Sequence, residues 1–254
     1  MSTLRARCPD CRTLTAVAIG TEYQCHSCGR AFEAGLVRVP RAWGTGGEAM
    51  AAAAWLELPY PEAAVVDEET LEQQIVVQVR NLPALPLVLG GCCCAHVGAI
   101  RGLAARPGRL GVVWVDAHGD LNTPETSPSG NAWGMPLRMA IGAGDVRPAD
   151  VALVGASSLD PPEIAYMHET GIDGSIERAL ADCDRAYVAF DCDVLEPAEL
   201  AVFMPEPGGL TLAEAEALLA SIARTTPLAG LGLTGLRDDA DAEALVRLVA
   251  AAGL

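Results

Sequence analysis

Apolar positions along this chain follow two rhythms. Short runs at Leu85 to Leu89, Gly111 to Val115, Val151 to Val154, Ala186 to Phe190 and Leu228 to Leu233 are of strand length and have no polar side. Strands buried on both faces read this way. Between and around them, Asp67 to Val79, Ala95 to Ala105, Pro162 to Thr170, Ser175 to Asp182, Leu212 to Arg224 and Asp241 to Ala251 are longer and richer in helix formers, and an Ala-rich helix is expected over Glu48 to Leu58, ended by Pro59 and Pro61. Alternating strands and helices predict an α/β fold, with a mainly parallel sheet covered by helices on both faces. Asn81 to Ile100 carries no charged residue. Pro83, Pro86 and Gly90-Gly91 would break a lipid-exposed helix there, so the stretch reads as a buried strand and glycine turn rather than a membrane span.

At 254 residues and 51% hydrophobic content the chain can bury one large core and still carry an appendage. A net charge of -16 disfavours nucleic acid and anionic membrane surfaces and leaves small molecules or proteins as the expected partners, a small-molecule substrate first. The N-terminal MSTLRARCPDC has no apolar signal-peptide core, and the expectation is a cytoplasmic setting with reduced thiols. Nine cysteines are then ligands or buried thiols. Cys8, Cys11, Cys25 and Cys28 form two CxxC knuckles thirteen residues apart, the spacing of a structural zinc ribbon, with a redox dithiol pair as the competing reading. The expected organisation is a zinc ribbon over residues 1–36, a linker or connection over 37–58, rich in glycine up to Gly47, and the α/β domain over 59–254.

Two of the apolar runs end in acids. Val112 to Val115 leads into Asp116, Ala117, His118, Gly119 and Asp120, and Ala186 to Phe190 leads into Asp191, Cys192 and Asp193. At a strand end alternate residues project to one side, so these carboxylates and the imidazole can converge on a point. Hard oxygen and imidazole donors suit manganese or a pair of such ions better than structural zinc. One Asp-x-Asp alone would be a loop start or helix cap; two behind buried-type strands point to a metal.

The stretch WVDAHGDLNTPETSPSGNAWGMP, Trp114 to Pro136, resembles the arginase and agmatinase (ureohydrolase) family, whose motif runs DAHxDxNTP, then SGN, then a glycine and a proline. FDCDVLEP, Phe190 to Pro197, with Pro205 and Gly208-Gly209-Leu210 after it, is similar to that family's second metal motif. The resemblance covers roughly residues 85 to 250. It implies an arginase-like three-layer fold, a binuclear manganese centre that activates water, with zinc or iron as alternatives, and a homo-oligomer. It also implies a ligand set of Asp116, His118, Asp120, Asp191 and Asp193, with Cys93 where the family has histidine and His96 as the alternative donor. Asp116 and Asp191 are expected to bridge, with His118 and Asp193 on one ion and Cys93 and Asp120 on the other. Asp120 is the candidate catalytic residue, orienting the attacking water.

Two further departures bear on substrate. Trp133 replaces the family's proton-shuttling histidine, and Gly235 replaces its guanidinium-binding glutamate, while Asn122, Ser127, Ser129, Asp160 and Glu163 keep positions that contact the substrate's amino-acid end. Trp133 is expected to offer a stacking face instead. The expected activity is hydrolysis of a non-peptide C–N bond in an amidine, guanidino compound or related amide other than arginine. The alternative is a non-catalytic metal-binding or regulatory protein of the same fold. A zinc deacetylase-like chemistry lacks a histidine pair to act as base.

Overall fold

The computed structural model describes residues 5–254 apart from 7, 9, 10, 12, 14, 20, 21 and 33. Four short strands, β1 (Arg5–Ala6), β2 (Ala16–Ile19), β3 (Glu22–Cys25) and β4 (Ala31–Phe32), pair antiparallel in sequence order. The remainder runs β5 (Ala34–Val39), α1 (Glu48–Ala53), β6 (Glu62–Val65), α2 (Leu71–Arg80), β7 (Leu85–Gly90), α3 (Ala95–Ala104) and β8 (Leu110–Val115). It continues through α4 (Pro136–Gly142), β9 (Val151–Val154), α5 (Pro161–Thr170), α6 (Ile176–Leu180), β10 (Arg185–Asp191), α7 (Leu212–Thr225), β11 (Leu228–Thr234) and α8 (Ala242–Ala251).

Seven strands form one sheet in the order β6-β5-β7-β11-β10-β8-β9, and every neighbouring pair is parallel. Side chains alternate between two cores, as the two-residue strand period requires. Val113 and Val115 join Phe190, Leu233 and the inner faces of α7 and α8, whereas Val112 and Trp114 join Tyr187 and the inner faces of α3 and α4. The expected three-layer architecture is therefore present. Among the described residues no helix is long and apolar enough to cross a membrane.

The main differences from the sequence reading lie before residue 66 and at α4. The start of the expected 37–58 connection is not a linker: Val37 and Val39 are buried in β5, an inner strand of the large sheet, while the expected Ala-rich helix follows as α1. Arg38 interrupts the apolar run and so hides the strand. Its guanidinium is neutralised by Glu62 at 2.6 Å and donates to the carbonyls of Ala54 and Leu56. β6 was hidden for the opposite reason, being an edge strand whose residues stay largely exposed. α4 starts with Pro136 in its first turn, after an irregular loop that has no periodic pattern.

Because the sheet is parallel, β7, β11, β10 and β8 all end at one edge, side by side. Successive strands diverge there, β8 leading outward to β9 and β10 returning to the centre, which leaves a crevice beyond the strand ends.

Candidate metal centre

The residues that follow these four strands meet in that crevice. Cys93 follows β7, Asp116, His118 and Asp120 follow β8, Asp191 ends β10 with Asp193 just beyond, and Gly235 follows β11. All seven line one cavity of about 10 Å³, closed by Met50, Cys92, Trp133, Phe203 and Met204. That volume holds about one water-sized body.

Local backbone bonds set the acids. Asp116 Oδ1 accepts from the His118 backbone N–H at 2.7 Å and its Oδ2 from the Trp114 indole at 3.0 Å. Asp191 Oδ1 accepts from Asp193 N–H at 2.9 Å, while Asp193 Oδ1 accepts from Ala117 N–H at 3.2 Å and ties the two strand ends together. His118 Nδ1 lies 3.0 Å from Asp193 Oδ2 and 3.5 Å from Asp116 Oδ1. Asp120 is the one described non-glycine residue with a positive φ, 53°, and its buried Oδ2 has no hydrogen-bond partner. Cys93 Sγ is 2.7 Å from Asp191 Oδ2.

Ligand-type atoms of Cys93, Asp116 and Asp120 lie within 4.8 Å of one another, as do those of Asp116, His118 and Asp193. Asp116 belongs to both triads. Asp191 joins neither and stands against Cys93 and Thr234 instead.

Without a cation this cluster is electrostatically unfavourable. Burial, then the charge of Asp193, raises Asp191 to about 7, and burial, then Asp116, raises Asp193 to about 6. Asp120 and the Cys93 thiol are pushed well above their usual ranges, again mainly by burial. His118 is driven up to about 12 by Asp116 and Asp193, against its own burial. Hard carboxylates, one imidazole and an orphaned oxygen at Asp120 are a donor set that fits divalent cations.

A second layer backs the cluster. Thr234 donates its hydroxyl to Asp191 Oδ2 at 3.1 Å and meets His96 Nε2 at 3.1 Å, and His96 Nδ1 meets the Tyr187 hydroxyl at 3.0 Å. With the Thr234 proton committed to Asp191, His96 donates from Nε2 and accepts from Tyr187 at Nδ1. His96 is fully buried and drawn down to about 3 by that burial, so it is a neutral part of the wall and is not one of the clustered donors. Thr234→Val is expected to weaken metal binding about 10- to 100-fold and to cost the metal-free chain about 1–3 kcal/mol, because the buried His96 Nε2–H loses its acceptor. Chelator competition on both proteins checks this; equal affinities would remove Thr234 from the account.

An outer cleft of about 150 Å³ adjoins the cluster and is lined by His118, Asp120, Asn122, Ser127, Ser129, Trp133, Ser158, Asp160 and Glu163, among others. All six residues expected on the substrate side are therefore gathered around one space. Their freedom differs. Glu163 accepts from Leu121 and Asp160 backbone N–H groups at 2.9 Å each, the latter closing the capping box of α5, so its carboxylate is already occupied. Asn122 donates to Asp160 at 2.9 Å and accepts from Thr126. Ser127 and Ser129 lie 3.4 Å apart on the exposed rim. Trp133 is nearly buried, stands edge-on to Phe203, and touches the inner cavity as well as the outer cleft.

Gly235 has φ of 72°, and a side chain there would overlap the Asp191 carboxylate. A glutamate cannot simply be placed at this position. Sequence reasoning missed Glu206, whose carboxylate stands 3.6 Å from His118 Nε2, and the apolar wall of Phe203 and Met204. The segment Ala201 to Pro207 has no regular pattern, and only its closeness to Pro205 and Gly208 could have drawn attention to it.

A family model described as "Arginase family" matches residues 49–252. Arginase of Bacillus subtilis (strain 168) is 35% identical over 187 residues, 62% of this chain and 63% of that enzyme. The chain thus spans a little under two thirds of the length of such curated relatives. A crystal structure of arginase from Bacillus subtilis superposes with a TM-score of 0.76 at 23% identity, covering 86% of this chain and 97% of that one. A formiminoglutamase variant of Trypanosoma cruzi with Mn²⁺ superposes with a TM-score of 0.68 at 18% identity, covering 87% and 91%.

Proposed function

This chain belongs to the arginase family, and from that premise we propose that it is a metal-dependent hydrolase of a non-peptide C–N bond whose substrate is not arginine. The observation that carries the reading is the pair of donor triads sharing Asp116 beside a cleft lined with polar groups. Cys93, Asp116 and Asp120 would hold one ion and Asp116, His118 and Asp193 the other, with the Asp191 carboxylate beside Cys93 as a further donor. Manganese is the ion named with the Trypanosoma neighbour, and the carboxylate-rich set supports it; the Cys93 sulfur would also accept zinc or iron. Bound divalent ions lower the pKa of water toward neutrality and so supply a nucleophile.

The chain's own residues do the rest. Asp120 Oδ2, lacking any partner, is the acceptor that orients the attacking water. His118 is held by Asp193 through Nδ1, leaving Nε2 toward the Glu206 carboxylate at 3.6 Å. Asn122, Ser127, Ser129 and Asp160 would receive a polar, amino-acid-like end of the substrate, Glu163 would hold that wall in shape, and Trp133 would cover the reacting end and exclude bulk water. Exposed Val65 on edge strand β6 and exposed Trp55, stacked with Arg38, support a homo-oligomer, and cysteines free of disulfides support a cytoplasmic setting.

The tightness of the inner cavity favours a second reading, a metal-binding regulatory protein that turns nothing over. The deciding experiment is hydrolysis by manganese-, zinc- and iron-loaded protein of a panel of formimidoyl, amidino and guanidino amino acids. Metal-dependent release of ammonia, formamide or urea from any of them supports the enzyme. Full metal loading with no turnover across the panel leaves the regulatory reading.

A further inference from the structure

One group of metal-binding side chains is untouched by this chemistry. Cys8 Sγ lies 3.4 Å from Cys28 Sγ, and Cys11 Sγ lies 3.5 Å from Cys25 Sγ. All four sulfurs are within 4.8 Å of one another. Each close pair takes one cysteine from each CxxC knuckle. These separations far exceed a disulfide bond of about 2.0 Å. They approach the edge, about 3.8 Å, of a sulfur tetrahedron drawn around a zinc ion with bonds of about 2.3 Å. We propose that Cys8, Cys11, Cys25 and Cys28 hold a structural zinc ion, a second metal site of different chemistry from the carboxylate centre.

The surroundings fit anionic sulfur. The Ser27 backbone N–H points at Cys25 Sγ at 3.4 Å, the Thr15 hydroxyl lies 3.4 Å from the same sulfur, and the Thr13 hydroxyl lies 3.1 Å from Cys11 Sγ. Hydrogen-bonded sulfurs of this kind are the usual outer shell of a thiolate-bound metal. Thiolates are soft and select zinc, where the acids at the other centre select harder ions.

The described core of this segment is built around the sulfurs. Among its described residues only Cys8, Ala16 and Cys25 form a buried cluster, with Cys11, Tyr23 and Leu85 against it. A bound ion would add its binding free energy to the packing of that cluster.

Position argues for structure over catalysis. β4 leads into β5 across one residue, and Leu85 begins β7, so the sulfur cluster rests on the edge where the parallel strands start. The carboxylate centre lies where they end. A strand of six residues separates the two edges, about 20 Å.

The test uses the full chain and three proteins: unmodified, Cys8→Ser/Cys11→Ser, and Asp116→Asn. After dialysis against a weak chelator, Asp116→Asn is expected to keep one zinc per chain and the double cysteine variant to lose it. Cobalt loaded into Asp116→Asn is expected to give intense thiolate-to-cobalt charge-transfer and tetrahedral visible bands, lost when Cys8→Ser/Cys11→Ser is added to that same variant, where the Cys93 centre is already disabled. Stepwise mercurial titration of the unmodified protein keeps the test open if the double variant does not fold: one zinc should be released as the four thiols react. Zinc content that ignores the cysteine substitutions, a cobalt spectrum without thiolate bands, or an intact mass lowered by two disulfides overturns the proposal.

Discussion

Asp116→Asn is expected to remove both ions of the carboxylate centre and to lower kcat/KM by more than about a thousandfold, because metal catalysis contributes several kcal/mol of transition-state stabilisation. Asp116 is the one donor common to the two triads, and its oxygens also fix the His118 backbone and the Trp114 indole. Asparagine keeps the shape and one acceptor but removes the charge that two cations need. Metal analysis and turnover check this together; two retained ions would show that Asp191, not Asp116, joins the halves. Without metal the same substitution should raise thermal stability, since it deletes one of several buried carboxylates that repel each other. Stability of the chelated wild type should also fall as pH rises from about 5 to 8. Asp191 near 7, Asp193 near 6 and His118 near 12 all lie above their unfolded values, so the folded state holds more protons than the unfolded one in that window. A state that binds more protons loses ground as protons become scarce. With metal the sign reverses, because the ligands must be deprotonated to bind. Thermal melts with and without chelator across that range read both slopes.

Arginine should be a very poor substrate even at saturating manganese, with urea release at least about thirtyfold below that of a Bacillus arginase assayed alongside. A guanidinium buried without its carboxylate forfeits a charge-assisted bidentate pair, and truncating such a pair costs about 2–5 kcal/mol. Here Gly235 offers no side chain, and Trp133, Phe203 and Met204 present apolar surface. Restoring the acid at 235 is blocked by the backbone and by Asp191, so Gly235→Glu should unsettle the metal centre instead of creating arginase activity. Trp133→His is the informative change: it removes an apolar plug and adds a base, and should raise turnover of small guanidino or amidino compounds. Efficient urea production from arginine by the unmodified chain would overturn the assignment of Gly235 to the substrate end.

The strands and most helices of the central domain were legible because doubly buried strands leave unbroken apolar runs, and their acids stand at fixed offsets from the run ends. Asp116, His118, Asp120, Asp191 and Asp193 could therefore be gathered from sequence alone. β5 could not, since Arg38 sits in its middle and is neutralised by Glu62, a partner twenty-four positions away. Glu163 had the right location for a substrate contact, yet its oxygens go to backbone donors of Leu121 and Asp160, a commitment visible only in three dimensions. The relay from Tyr187 through His96 and Thr234 to Asp191 joins three distant segments and leaves no local signature.

Asp120 sits in the left-handed backbone region, with a buried oxygen that nothing in the protein satisfies. Glycine or asparagine would relax that backbone and discard the charge, and each is one base change away from an aspartate codon. In a lineage released from selection on this centre, such replacements would be favoured on stability alone and would accumulate early. An aspartate held at this position marks a centre still under selection for what the charge does, and it gives a way to sort relatives: those with glycine or asparagine at 120 should be the ones that have stopped binding metal here.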